Sequence, residues 1–264
     1  MKPVNFFNSH SHADGGSGSR PRSESGRRGQ NRGALRVPLR GDHLSRHACS
    51  SVCDALADGK VGLIPTDTGF CYVGDPDAPD IHRAFLRLRS AHPKHKPFSL
   101  IVPTIASLSQ IAVLDTPQYR VIKKLLPGPY TVILQKNKRT PVSATSQKGS
   151  TVGVRQPAIS YIDELMAVWE KPLLATSVTD ADELLQAAYY ESDQSPDAWW
   201  ANGSEIVRLH GHEIAVWVDP DEPQPMRAST IFDLTDETPV MLRDGGWDLG
   251  ELTFDFVRPE DRES

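Results

Sequence analysis

The apolar positions of the chain fall into helix-period and strand-period runs, and the switches between them predict the elements. Residues 44–57 carry helical spacing and stop at Asp58-Gly59, a terminating pair. Val61-Gly-Leu-Ile64 is a short apolar run ending at Pro65, which predicts a buried strand that stops where the backbone loses a donor. Ile81–Leu88 predicts an amphipathic helix with Arg83, Arg87 and Arg89 toward solvent. Beyond a basic loop at 90–97, strands are predicted at 98–102, 130–134, Thr151–Arg155 and 171–177, with helices at 104–112, 117–126 and 162–169. Pro127-Gly-Pro129 closes the second of these helices. Residues 180–213 read as mostly helical or irregular, with Trp199 and Trp200 as packing anchors. Three late strands follow at 214–218, 229–233 and Val240–Arg243. Early alternation and late clustering predict an α/β fold, one domain built on a twisted mixed sheet with flanking helices.

The pattern fails at both ends. Residues 1–40 are rich in Ser, Gly, Arg and His and predict a disordered basic tail with weak RNA affinity, the domain proper running over 41–250 and an acidic tail over 251–264. The leader lacks the apolar stretch of a secretory signal. The 264 residues are 38% hydrophobic and 24% charged, a globular composition, and no run approaches the roughly 20 apolar residues of a membrane span. Cys49, Cys53 and Cys71 are odd in number and lack zinc-ligand spacing, which predicts reduced thiols and a cytoplasmic protein. Cys49 and Cys53, four apart, read as small core-facing residues of a helix.

The formal net charge of -5 hides a division along the chain. Residues 82–155 hold thirteen Lys or Arg against one acid, Asp115, whereas residues 156–264 hold six against 24 acids. The basic stretch meets nucleotide phosphates or an RNA backbone, or is a solvated face balanced by an acidic one.

Candidate chemistry gathers where strands end. Thr66, Asp67 and Thr68 place two hydroxyls and a carboxylate after the first strand, with Gly69 free to turn sharply. Arg155, Ser177, Ser229 and Thr230 stand at later strand ends, and Asp233 reads as a structural acceptor. His92 and His95 read as exposed loop histidines. GxGxxG and GxxxxGK[ST] are both absent, so neither of those phosphate-binding devices is supported.

Seven ordered segments carry a resemblance: Pro65-Thr-Asp-Thr68, Arg87-Leu-Arg89 with its basic loop, Pro127-Gly-Pro-Tyr-Thr131, Val152-Gly-Val-Arg-Gln-Pro157, Thr176-Ser177, Ser229-Thr-Ile-Phe-Asp233 and Arg243-Asp-Gly245. In this order they resemble the YrdC family of threonylcarbamoyl-AMP synthases, most closely its YciO-like branch. The resemblance implies a YrdC/RibB-like sheet enclosing a basic cavity. It also implies ATP-dependent formation of threonylcarbamoyl-AMP from L-threonine and bicarbonate, in the pathway to t6A in tRNA, or a related adenylate-forming reaction. Arg87 and Arg89 match the family's Lys-x-Arg pair and, with Thr66, stand as the catalytic candidates. Thr66, Thr68, Arg89 and Lys96 are the implied substrate-binding set, with Lys94 beside Lys96. Arg87, Arg155, Ser177, Ser229 and Arg243 are the nucleotide-binding set. Mg2+ is implied on the phosphates themselves, with Asp67 at most an outer-shell ligand. Two departures stand out, Phe70-Cys-Tyr72 for Tyr-Gly-Leu and Ser177-Val-Thr179 for Ser-Ala-Asn. They leave open the alternative of a YciO-like protein binding tRNA or double-stranded RNA, whose pocket binds nucleotide or another ligand without synthase activity.

Overall fold

A sheet whose two faces must both be covered needs apolar residues at consecutive strand positions, and the centre of this chain supplies them. The structure, a computed structural model, describes residues 33–89, 97–144, 149–178, 189–192, 195–250, 252–258 and 260–261. Its early strands are β1 (Leu35–Pro38), β2 (Val61–Thr66), β3 (Gly69–Gly74), β4 (Ser99–Ile101), β5 (Tyr130–Gln135), β6 (Thr151–Arg155) and β7 (Leu173–Ser177). The later ones are β8 (Tyr189–Ser192), β9 (Ser195–Ala201), β10 (Ile214–Asp219), β11 (Gln224–Met226), β12 (Thr230–Asp233) and β13 (Val240–Arg243). The helices are α1 (Arg46–Ala57), α2 (Ile81–Leu88), α3 (Leu108–Ile111), α4 (Thr116–Leu125), α5 (Ser160–Trp169) and α6 (Gly203–His210).

Ten strands form one mixed sheet in the order β1-β10-β2-β3-β7-β4-β6-β5-β12-β13, and β11-β9-β8 form a small antiparallel sheet. The β2–β3 hairpin sits near the middle, and every residue of both strands is buried. Alternation sorts them. Leu63, Phe70 and Tyr72 join a core that continues through Leu100, Val132, Val154 and Phe232. Ile64, Cys71 and Val73 face the opposite way, into a second core with α1 and α5. Each fully buried Leu or Phe contributes about 1.5–3 kcal/mol, so these two cores carry the fold.

The helix ends are explained locally. Ser45 caps α1 by accepting from the Ala48 amide at 3.2 Å. Asp115 and Gln118 form a reciprocal capping box on α4. Cys49 and Cys53 are buried on α1, as their spacing predicts, and burial pushes the Cys53 thiol up to about 11. Such a thiol is chemically quiet at neutral pH.

Four expectations change. β1 lies within the stretch read as a tail and pairs in parallel with β10, Arg36 being ion-paired to Asp219. The turn at Asp67-Thr68 leads straight into β3, so the floor of the strand end is a hairpin with Gly69 at φ +95°. Residues 189–201 form strands where helix or irregular chain was expected. Trp200 is half-buried there, while the Trp199 side chain lies outside the described residues. Past β13, Phe254 and Phe256 pack edgewise on Phe232, and Val257 bridges to Val240, so this part of the acidic tail lies on the core.

Candidate functional site: a cationic hollow on one face of the sheet

The strands β4, β6, β5 and β12 bury one set of alternate residues and offer the other to a hollow of about 490 Å3. On β5, Val132 and Leu134 enter the core while Thr131 and Ile133 line the hollow. On β6, Val152 and Val154 enter the core while Thr151, Gly153 and Arg155 line it. Phe232 on β12 is core and Ile231 is lining; Leu100 on β4 is core and Ser99 is lining. The lining set is mostly small, hydroxylated or cationic, with Pro97, Phe98, Ile133, Ile231 and Leu242 as its larger apolar members.

Three guanidinium groups converge on this space. Arg89 caps the end of α2, is 9% exposed, and stands 5.0 Å from the centre of the Phe98 ring. Burial holds its pKa below the usual value. Arg243, at the end of β13, donates through Nε to the Ser229 carbonyl and through Nη2 to Ser229 Oγ, both at 2.9 Å. Its pKa is lowered by burial first and by the charge of Arg155 second. Buried cations that repel one another are stabilised by an incoming anion, so the hollow is electrostatically prepared for one.

Arg155 is the most deeply placed, at 2% exposure. Its Nη2 donates to Thr68 Oγ1 at 2.6 Å and reaches Asp67 Oδ1 at 3.2 Å, and Nη1 lies 3.7 Å from Cys71 Sγ. Its Nε is buried with no hydrogen-bond partner among the described residues. A buried charged donor without an acceptor is costly, and a negative charge in the hollow that Arg155 lines would offset that cost. Asp67 also accepts from the Ala158 amide at 2.9 Å through Oδ2; burial pushes its carboxyl up, against the opposing pull of Arg155 and that amide.

The hydroxyls divide into two kinds. Thr66 donates to the Gly69 carbonyl at 2.6 Å, and Thr66 and Thr68 share a 3.2 Å bond, so both protons of this pair are used inside the hairpin. Neither residue lines the hollow. Ser229 and Thr131 share one 2.9 Å bond while Ser229 accepts from Arg243, which leaves one of their two protons for a ligand. Ser177 lines the hollow and is exposed, with Cys71 Sγ 3.9 Å from its Oγ.

The structure therefore brings Arg89, Arg155, Ser177, Ser229 and Arg243 to one place and keeps Thr66 and Thr68 behind Arg155. Arg87 is elsewhere: it binds Glu213 through Nε and through Nη2 at 2.9 Å, outside the hollow's lining. Lys94 and Lys96 lie outside the described residues. Thr131, Thr151 and Ser99 were not singled out from sequence, although the two-residue alternation of their strands marks them as facing away from the core. Among the described residues no group of three or more His, Cys, Asp or Glu could hold a metal ion.

A family model for Sua5, YciO and YrdC proteins, described as telomere recombination, matches residues 54–245. The uncharacterized protein YciO of Escherichia coli strain K12 is 26% identical over 211 residues, 79% of this chain and 94% of that protein. A threonylcarbamoyl-AMP synthase of Pyrococcus abyssi is 29% identical over 201 residues, 75% of this chain and 54% of that enzyme. Among solved structures, E. coli YciO aligns with a TM-score of 0.69 at 23% identity, covering 83% of this chain and 99% of that one. P. abyssi Sua5 complexed with L-threonine aligns with a TM-score of 0.67 at 22% identity, covering 85% and 62%. Identities at this level establish a shared fold.

Proposed function

This chain belongs to the Sua5–YciO–YrdC family, and from that premise we propose that its hollow binds ATP for an adenylate-forming reaction. The reaction is formation of threonylcarbamoyl-AMP from ATP, L-threonine and bicarbonate, or a close relative of it using another small carbamate or carboxylate. One observation carries the reading: Arg89, Arg155 and Arg243 line a single hollow, and Arg155 keeps a buried donor without an acceptor among the described residues. The Pyrococcus synthase among its relatives and the L-threonine held by the matching Sua5 structure support the same substrate class.

The chemistry suits these residues. A carbamate oxygen attacks the α-phosphorus of ATP, the bond to the β-phosphate oxygen breaks, and pyrophosphate leaves with the electron pair. No protein nucleophile is required; the need is for cations that neutralise the phosphates and donors that orient the reactants. The guanidinium groups supply forked, permanently charged donors, and Thr131, Ser229 and Ser177 supply neutral ones. Thr66 and Thr68 act from behind, through Arg155. A magnesium ion entering with ATP would be held by phosphate oxygens, because the described residues offer no carboxylate cluster for it. No helix among the described residues is long and apolar enough to cross a membrane.

Titration calorimetry with ATP tests this reading, followed by pyrophosphate release with L-threonine and bicarbonate. Saturable one-to-one ATP binding is expected, lost on Arg89→Ala, with release dependent on both co-substrates. Absence of ATP binding at millimolar concentration overturns it. RNA binding that falls steeply with salt, with no nucleotide saturation, would instead favour an RNA-binding role for the basic stretch.

A further inference from the structure

Asp67 meets one cation of the hollow, Arg155, in an ion pair, and it does so from behind. Its Oδ1 takes Arg155 Nη2 at 3.2 Å and its Oδ2 takes the Ala158 amide at 2.9 Å, so both oxygens are committed. The Arg155 side chain is 3% exposed and that of Asp67 13%, so the pair is shielded from solvent competition. Thr68 Oγ1 holds the same Nη2 at 2.6 Å, and its proton is consumed by Thr66 and then by the Gly69 carbonyl. One edge of the guanidinium is thereby fixed to the β2–β3 hairpin, and Nε is left without a partner among the described residues. Asp67 also ties the hairpin to the chain between β6 and α5, the segment that carries Arg155 into place.

From this geometry we infer that Asp67 is a positioning residue: it sets the orientation in which Arg155 presents its guanidinium to the phosphates of a nucleotide. A guanidinium bonds well only in the plane of its fork, so a turn of its plane costs affinity even when its charge stays in place. Asp67 touches no ligand in this arrangement. Its entire effect on binding passes through Arg155, while its bond to Ala158 serves the local fold. The inference rests on the nucleotide reading of the hollow.

The substitution Asp67→Asn keeps the volume and sets an amide hydrogen against either Arg155 or the Ala158 amide, whichever way the side chain is turned. ATP affinity is measured by calorimetry for the wild type, Asp67→Asn, Arg155→Lys and the double variant. A lysine keeps the charge and has no fork to orient. Asp67→Asn is expected to weaken ATP about tenfold in the wild type and less than about twofold beside Arg155→Lys. Equal losses in both backgrounds, or no loss in either, overturn the inference. Should Asp67→Asn fail to fold, Thr68→Val removes the other hold on the same nitrogen and is read by the same cycle. A crystal structure of the substituted chain without nucleotide gives a separate readout. Displacement of the Arg155 guanidinium from Thr68 is expected, and an unmoved guanidinium overturns the assignment. That readout holds even if the wild type binds no ATP, a result that would count against the proposed function instead.

Discussion

One face of the ten-stranded sheet is built in two ways, and the contrast locates the site. Over β10, β2 and β3 it carries Val216, Val218, Ile64, Cys71 and Val73, packed against Val52 and Leu56 of α1 and Leu165 of α5. Over β4, β6, β5 and β12 the same face carries Ser99, Gly153, Thr131 and Ile231, with Arg155 at one end, and opens to the hollow. The opposite face is continuous apolar core beneath both halves, from Leu63 and Tyr72 to Val132 and Phe232. The scaffold is therefore shared, and one alternating register of side chains separates a packed layer from a binding surface. Where the register turns small, hydroxylated and cationic, no helix among the described residues covers it, and the space becomes available to a ligand.

The largest break of this contrast is Leu165→Ala. Leu165 is fully buried on α5, and its truncation is expected to cost about 2–5 kcal/mol in denaturant unfolding. ATP affinity of the folded fraction should be unchanged. Two strand glycines sharpen the comparison. A Cβ at Gly62, in the covered half, would stand 3.2 Å from Val73 Cγ2 and 3.3 Å from Leu56 Cδ2, so Gly62→Ala should destabilise by about 1–3 kcal/mol. A Cβ at Gly153, in the open half, would meet nothing nearer than Thr131 Cγ2 at 3.6 Å. Gly153→Ala should leave thermal stability level or raise it by up to about 1 kcal/mol, whereas Gly153→Leu should block ATP by filling the floor of the hollow.

The smallest effect lies outside both halves, at Arg87 and Glu213. Their ion pair holds the Glu213 carboxyl below its usual range, chiefly by the hydrogen bond from Arg87. Its contribution is thus full above the usual glutamate range and is lost as pH falls through the lowered value. Arg87→Ala should lower Tm slightly at neutral pH, and the difference from wild type should vanish in acid. ATP affinity should be unaffected, because this arginine does not line the hollow.

The readable parts of the chain were those with local signals. Helix α1 follows from its spacing and its Asp58-Gly59 stop, and β5 and β6 from apolar residues bounded by proline, glycine or polar loops. Strand β3 was hidden because both its faces are buried, which erases alternation, and because the Asp67-Thr68 turn lacks the Asn-Gly pair that marks tight hairpins. Strand β1 has four residues, one of them Arg36, and its order depends on pairing with β10 about 180 residues away. Arg87 and Arg89 illustrate how the site was half legible. Two positions apart on a helix is about 200° around its axis, so the pair cannot serve one pocket while both remain helical. Arg87 stays on α2 and turns to Glu213, while Arg89 caps the helix and turns inward. Thr66 and Thr68 were recognised as a polar strand end, but their inward commitment depends on Arg155 and Gly69, which pairing alone brings near.

The most direct measurement is a crystal structure of the chain grown with ATP. The account predicts a triphosphate lying among Arg89, Arg155 and Arg243, with an oxygen within hydrogen-bonding distance of the Arg155 guanidinium. A nucleotide bound elsewhere, or a hollow that stays empty at saturating ATP, would contradict it.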